Sequence, residues 1–144
     1  MASRRARAAL AAAIFLAAGC GREDVPEPIA FDREACAHCR MLISDPAFAA
    51  QLQTESGEVL NFDDPGCLLR YRQERAPRVR AAWYHDLQGD RWLRESETAF
   101  VRVARTPMGW GLGAVRAGRP DALTAAQAEV IVRERAASRA GSDP

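Results

Sequence analysis

Apolar and polar positions begin to alternate at Phe48. The stretches A-A-Q-L-Q-T and E-V-L-N-F flank E-S-G and predict two short strands around a turn at Gly57. D-D-P-G-C-L-L-R-Y-R-Q-E-R follows. Asp64 is suited to cap a helix, Pro65 to its first position, and Leu68, Leu69 and Tyr71 supply a partly apolar face running to about Glu74. Cys67 then falls in the first helical turn, where the helix dipole favours a thiolate. A second hairpin is expected from V-R-A-A-W-Y-H-D-L and R-W-L-R around Q-G-D. S-E-T-A-F, residues 96–100, reads as a helical turn feeding V-R-V-A. The loop T-P-M-G-W-G and a short strand at Gly113–Arg116 come next. The final element opens with a capping box from Thr124 to Gln127 and continues through Val130 and Ile131 as a helix.

The order hairpin, helix, hairpin, strands, helix predicts an α+β architecture with mostly antiparallel strands. Two ββα-type units are suggested, at Phe48–Glu74 and roughly Ala99–Arg135, without enough internal similarity to establish a repeat. A chain of 144 residues has room for one modest domain or two very small halves sharing a core.

The N-terminus changes the picture. Arg4, Arg5 and Arg7 precede the apolar run A-A-L-A-A-A-I-F-L-A-A, which is short for a bilayer span and ends in small residues, as an export signal does. The run closes in L-A-A-G-C, which resembles the lipobox of bacterial lipoproteins, with Ala17 at the usual Leu position and Leu16 one place earlier. That resemblance implies cleavage before Cys20 and lipidation of its sulfur. Gly21 stands where an Asp would signal inner-membrane retention, so the outer membrane is the expected destination. The expected organisation is a signal peptide over 1–19, the lipidated Cys20 with a flexible tether over 20–32, a domain over 33–138, and a disordered tail over 139–144.

Charge then excludes partners. All 20 basic residues are Arg, against 19 acidic residues and a formal net charge of +1, with no basic stripe. Nothing here invites a nucleic acid. Without residues 1–19, 17 Arg face 19 acids, a net of −2.

An exported domain meets oxidising conditions. With Cys20 lipidated, Cys36, Cys39 and Cys67 remain, so at most one disulfide forms and one thiol is left over. A stray thiol there favours a bound metal. Thiolate and thioether donors together select Cu(I). Cys36 and Cys39 have C-x-x-C spacing; an extended chain from Cys39 would place Met41 on the same face as that Cys. Met108 is the other Met after residue 20, within P-M-G-W-G, where glycines let backbone approach closely.

Other readings stay open. One pairs Cys36 with Cys39 as a structural disulfide. Cys36, Cys39, Cys67 and either His38 or His85 give a zinc ligand count without zinc's second pair spacing. A redox C-x-x-C wants a strand before it and a long helix after it, whereas Pro46 interrupts here. His85 in W-Y-H-D reads as a strand histidine paired with a neighbour. Asp63 and Asp64 read as one helix cap and one solvated or cap-supporting carboxylate. No Ser/His/Asp set or phosphate loop composes an enzyme, and a nucleophilic Cys67 rests only on its helix N-terminus and a distant His.

Lipobox Cys20, C-A-H-C-R-M, N-F-D-D-P-G-C-L, W-Y-H-D and T-P-M-G-W-G-L-G-A, in that order, resemble NosL, the accessory lipoproteins of nitrous oxide reductase maturation. The resemblance spans roughly residues 20–135. It implies a pair of ββα-type units similar to the organomercurial lyase core. It also implies a periplasmic, lipid-anchored Cu(I) chaperone, not an enzyme, serving nitrous oxide reductase and its maturation and transport apparatus. The ligands it implies at matching positions are Cys36, Cys39, Met41, Cys67 and Met108, with His38 less firmly matched. One departure stands out: the family often has Cys-Gly-Met where this chain has Cys39-Arg40-Met41. The competing accounts are a disulfide-stapled lipoprotein and a thiol–disulfide oxidoreductase.

Overall fold

In a computed structural model the described residues are 25–141. The expected signal peptide, Cys20 and the last three residues lie outside them. Strands β1 (Ala50–Thr54) and β2 (Val59–Phe62) form the first hairpin, turning through Gly57 at φ +89°. Helix α1 (Pro65–Arg75) follows at once, with Asp64 as its cap and Pro65 at its first position, as the local sequence requires. The chain leaves α1 through Ala76 in a left-handed conformation at φ +43°.

Strands β3 (Val79–His85) and β4 (Trp92–Arg94) do not stand apart. β3 pairs antiparallel with the free edge of β1, giving a four-stranded sheet in the order β2-β1-β3-β4. A short 3₁₀ turn, Glu95–Glu97, leads into β5 (Thr98–Arg102), which pairs with β6 (Leu112–Arg116). The expected helical turn over 96–100 is thus shorter and earlier. From Thr98 the chain is strand, because Thr98, Ala99 and Phe100 are buried in register with Arg116, Val115 and Ala114. Leu123 extends this ribbon through reciprocal backbone hydrogen bonds with Phe100 at 2.9 and 2.6 Å. Helix α2 (Ala125–Ala140) begins at the expected capping box, with Thr124 Oγ1 accepting from Gln127 N at 3.3 Å and Gln127 Oε1 accepting from Thr124 N at 2.8 Å.

The fold is α+β: two ββα arrangements, the first widened by the β3–β4 hairpin. One core joins them, drawing Phe62, Leu68 and Leu69 from the first unit and Phe100, Leu112 and Val132 from the second. Tyr84 of β3 meets Phe100 edge-on at 5.1 Å between ring centroids. Leu68 and Leu69, essentially inaccessible, each contribute about 2 kcal/mol by removal from water.

β1 is buried along its whole length although its pattern alternates. Gln51 and Gln53 face the segment that precedes the domain. Gln51 exchanges two hydrogen bonds with the backbone of Glu27, at 2.7 and 2.9 Å, and Gln53 Nε2 donates to Val25 O at 3.0 Å. An amide side chain carries both a donor and an acceptor, so it pairs with a peptide group as another strand would. From Val25 on, the segment expected to belong to the flexible tether is therefore fastened to the sheet.

Candidate metal centre

The C-x-x-C segment is a closed loop. Ala35 and Leu42 form an antiparallel bridge, Cys36 N donates to Met41 O at 2.8 Å, and Arg40 N donates to Cys36 O at 3.1 Å. Arg40 closes the turn at φ +66°, a left-handed conformation that a residue with a Cβ adopts at a cost. Ala37 N donates to Asn61 O at 2.8 Å, which fixes the loop beside the end of β2. The next residues after β2 are Asp63 and Asp64, and Cys67 lies in the first turn of α1. One short connection thus delivers Cys67 to the C-x-x-C loop. The Sγ atoms of Cys36, Cys39 and Cys67 all lie within 4.8 Å of one another.

All three are thiols, with no disulfide among them. Cys36 and Cys67 are fully buried, and Cys39 is partly accessible. Cys36 is the sulfur whose surroundings most favour ionisation. The Cys67 thiol donates to it, and the backbone amides of Asp63, Cys39 and His38 add further donors, so its pKa falls to about 5 in spite of burial. Cys67 is pushed far up because its proton is committed to Cys36 and because it is buried beside the charges of Cys36, Cys39 and Asp64. The helix dipole expected to make Cys67 the thiolate is outweighed by these neighbours. Burial, and then the Cys36 charge, also raise Cys39 against the opposing hydrogen bond from Met41 N.

Asp64 ties the N-terminus of α1 to the loop that carries Met108. Its Oδ1 accepts from Gly66 N at 2.8 Å and its Oδ2 from Met108 N at 3.1 Å. Burial holds its pKa above the ordinary carboxylate value, opposed by hydrogen bonds from the Thr106 side chain and from the amides of Gly66, Met108 and Trp110. Asp63 is buried too, not solvated. It accepts from Ser44 N at 3.3 Å, and burial likewise raises its pKa.

Met108 is presented by a tight loop. Gly109 N donates to Thr106 O at 3.0 Å, and Gly109 and Gly111 take φ +67° and +64°. The Met108 side chain is half-buried against the core cluster that contains Cys36 and Cys67, with Cys39 also packed on it. Behind it, Trp110 lies directly on Gly66: a Cβ at Gly66 would sit 2.2 Å from the Trp110 Cβ and Cγ. The Arg139 guanidinium lies 4.2 Å from the Trp110 ring centroid and also donates to Met108 O at 2.8 Å. The motifs alone do not single out Gly66, Trp110 and Arg139. The nearest signal in the sequence is the small residue in D-P-G-C facing an aromatic in M-G-W-G.

Other candidates fare differently. Met41 is 57% exposed and meets the sulfurs through its backbone, and Arg40 breaks the extended geometry that would have aligned its side chain with Cys39. His38 turns toward α1, with Nε2 3.3 Å from Glu74 Oε2 and Nδ1 buried without a hydrogen-bond partner. His85 is a strand histidine beside Asp90 at 3.3 Å and edge-on to Trp92. Neither imidazole belongs to the cysteine trio, so the four-donor zinc set is not assembled among the described residues. Cys20 lies outside those residues.

Three clustered sulfurs make a soft donor set, which fits a soft metal such as copper better than a hard cation. No family model matches the chain, and no curated protein matches it by sequence. In its structure the chain is similar to the copper chaperone NosL from Shewanella denitrificans, with a TM-score of 0.54 and 21% identity over 76% of this chain and 88% of that one. At that identity the likeness is one of fold, and it is the α+β fold that the order of the motifs implies.

Proposed function

We propose that this chain is a Cu(I)-binding chaperone, lipid-anchored through Cys20 on the periplasmic face of the cell envelope. It carries copper to nitrous oxide reductase and its maturation apparatus, for assembly of the enzyme's copper centre. The observation that carries the reading is the trio Cys36, Cys39 and Cys67, with sulfurs within 4.8 Å of one another. Met108 is the fourth donor we assign, because its amide is held by Asp64, the cap of the helix turn that carries Cys67. The structural neighbour is itself a copper chaperone, which supports the same choice of cargo. The role is stoichiometric delivery. Cys39 is the sulfur open to an incoming ligand, while Cys36 and Cys67 are closed off, which suits stepwise ligand exchange. It suits a thiol oxidoreductase poorly, because the thiolate is on a buried sulfur and the accessible sulfur holds its proton more tightly than usual.

The test is an anaerobic Cu(I) titration of the Cys20→Ser chain against a chromogenic Cu(I) chelator, repeated on Cys67→Ser and Met108→Ala. Tight one-to-one binding that weakens in both variants supports the chaperone. A reduced wild-type chain that cannot compete with a moderate chelator overturns it and favours the disulfide-stapled lipoprotein.

A further inference from the structure

Beside the C-x-x-C loop lies a surface pocket of about 270 Å³ lined by Ala37, Arg40, Glu58, Leu60, Tyr71 and Arg75. Two of its side chains are arginines that the rest of the domain does not use. Arg70 and Arg72, on the same helix as Arg75, are paired with Glu74 and Glu95, and Arg78 nearby is paired with Glu55. The guanidinium groups of Arg40 and Arg75 have no ion pair or hydrogen bond among the described residues. Arg40 moreover occupies its position at φ +66°, where its Cβ is a disadvantage to the turn. A long cationic side chain at that point makes no ion pair among the described residues, but it lines the pocket beside the C-x-x-C loop.

We infer that Arg40 and Arg75 form a docking pocket for a carboxylate side chain on an acidic segment of the protein that exchanges metal with the cysteine trio. The charges lining the pocket, two Arg against Glu58, leave one positive charge, the complement of a single carboxylate. Guanidinium forks match carboxylate geometry, and the half-buried Tyr71 gives the bound side chain an apolar wall. Arg40 follows Cys39 directly and Ala37 stands two places before it, so a segment seated here places its own ligands near the accessible sulfur. Naming the occupant as the metal-exchange partner rests on the function proposed above, whereas the pocket's preference for an acidic peptide does not.

The test uses the metal-free Cys20→Ser chain and a hexaglutamate peptide at low salt, with hexaglutamine as control, followed by NMR of the arginine side chains. Hexaglutamate is expected to shift Arg40, Arg75 and Tyr71 and to lose about tenfold in affinity in Arg40→Gln and in Arg75→Gln, the loss of one charge-assisted contact. Glu58→Gln is expected to tighten binding about threefold as the opposing charge goes. Arg40→Gly, which suits the turn better than Arg, serves as the variant whose loss of binding cannot be laid to misfolding. The inference is overturned if hexaglutamate does not bind, if these variants bind it as the parent does, or if the shifts centre on other arginines. It is also overturned if vesicles containing phosphatidylglycerol occupy Arg40 and Arg75 in preference to the peptide. Because the peptide experiment uses no metal, its failure leaves the Cu(I) titration to stand or fall separately.

Discussion

Asp64 and Met108, 44 residues apart, are joined by a 3.1 Å hydrogen bond from the methionine amide to the carboxylate that caps α1. One side chain therefore sets the position of the helix turn carrying Cys67 and of the loop carrying Met108. Asp64→Ala is expected to cost about 2 kcal/mol, combining a lost cap with unpaired amides. It is also expected to weaken Cu(I) binding although it removes no donor. Asp64→Asn keeps one acceptor but aims an N–H₂ group at an amide donor, so it should not rescue copper affinity. Urea denaturation and chelator competition on the two variants check this; unchanged copper affinity in both would remove the latch from the account.

Gly66 is required by contact with an aromatic ring. A Cβ there would overlap Trp110, so Gly66→Ala is expected to destabilise the domain by about 3 kcal/mol. Trp110→Gly in the same chain removes the Cβ as well as the ring and should relieve the overlap, so the two substitutions together should cost less than the sum of each alone. Additive losses would show that Gly66 matters for some other reason.

Arg40→Gly is expected to stabilise the apo domain by about 1 kcal/mol, since the left-handed turn at φ +66° disfavours any residue with a Cβ. Equal or lower stability in thermal unfolding would mean the arginine contributes a contact that offsets the strain.

The trio should carry one thiolate at neutral pH. Ultraviolet thiolate absorbance is expected to appear as pH rises through about 5, reporting Cys36. Cys67→Ala removes the principal donor and should move that transition toward the ordinary thiol range; a transition that stays in place would reassign the thiolate.

Asp63 gives stability the opposite dependence on pH. Burial raises its carboxyl above the ordinary value of 3.8, so the folded state holds the proton more tightly than the unfolded chain. That contribution is complete below the ordinary value and is lost as pH rises through the folded one. Asp63→Asn should flatten the fall in denaturation midpoint over this window, and an identical slope in the variant would show that another group titrates there.

What the sequence discloses and what it hides divide along the range of the interaction. The caps of α1 and α2 are legible because Asp64 with Pro65, and Thr124 with Gln127, act within one turn. The strands of the first hairpin are legible from alternation and those of the second from aromatic and aliphatic residues around Gly89, and Cys67 can be placed in a first helical turn. The addition of β3 to the edge of β1 is not, since no local pattern says which edge a hairpin joins. Nor is the left-handed Arg40, because the usual marker of such a turn is glycine. The location of the thiolate depends on which sulfurs meet in space, and the Asp64–Met108 bond crosses from one ββα arrangement to the other. Gln51 and Gln53 read as an outward polar face until the chain before the domain is seen to lie on them.

Those two glutamines also act as a cleat. With Val25 tied to Gln53, five residue steps separate it from Cys20, a span of at most about 18 Å. If Cys20 bears the proposed lipid, the domain rides close against its bilayer on a short mooring and has no long arm with which to reach across the envelope. The recipient would then have to come to the membrane surface to collect its copper.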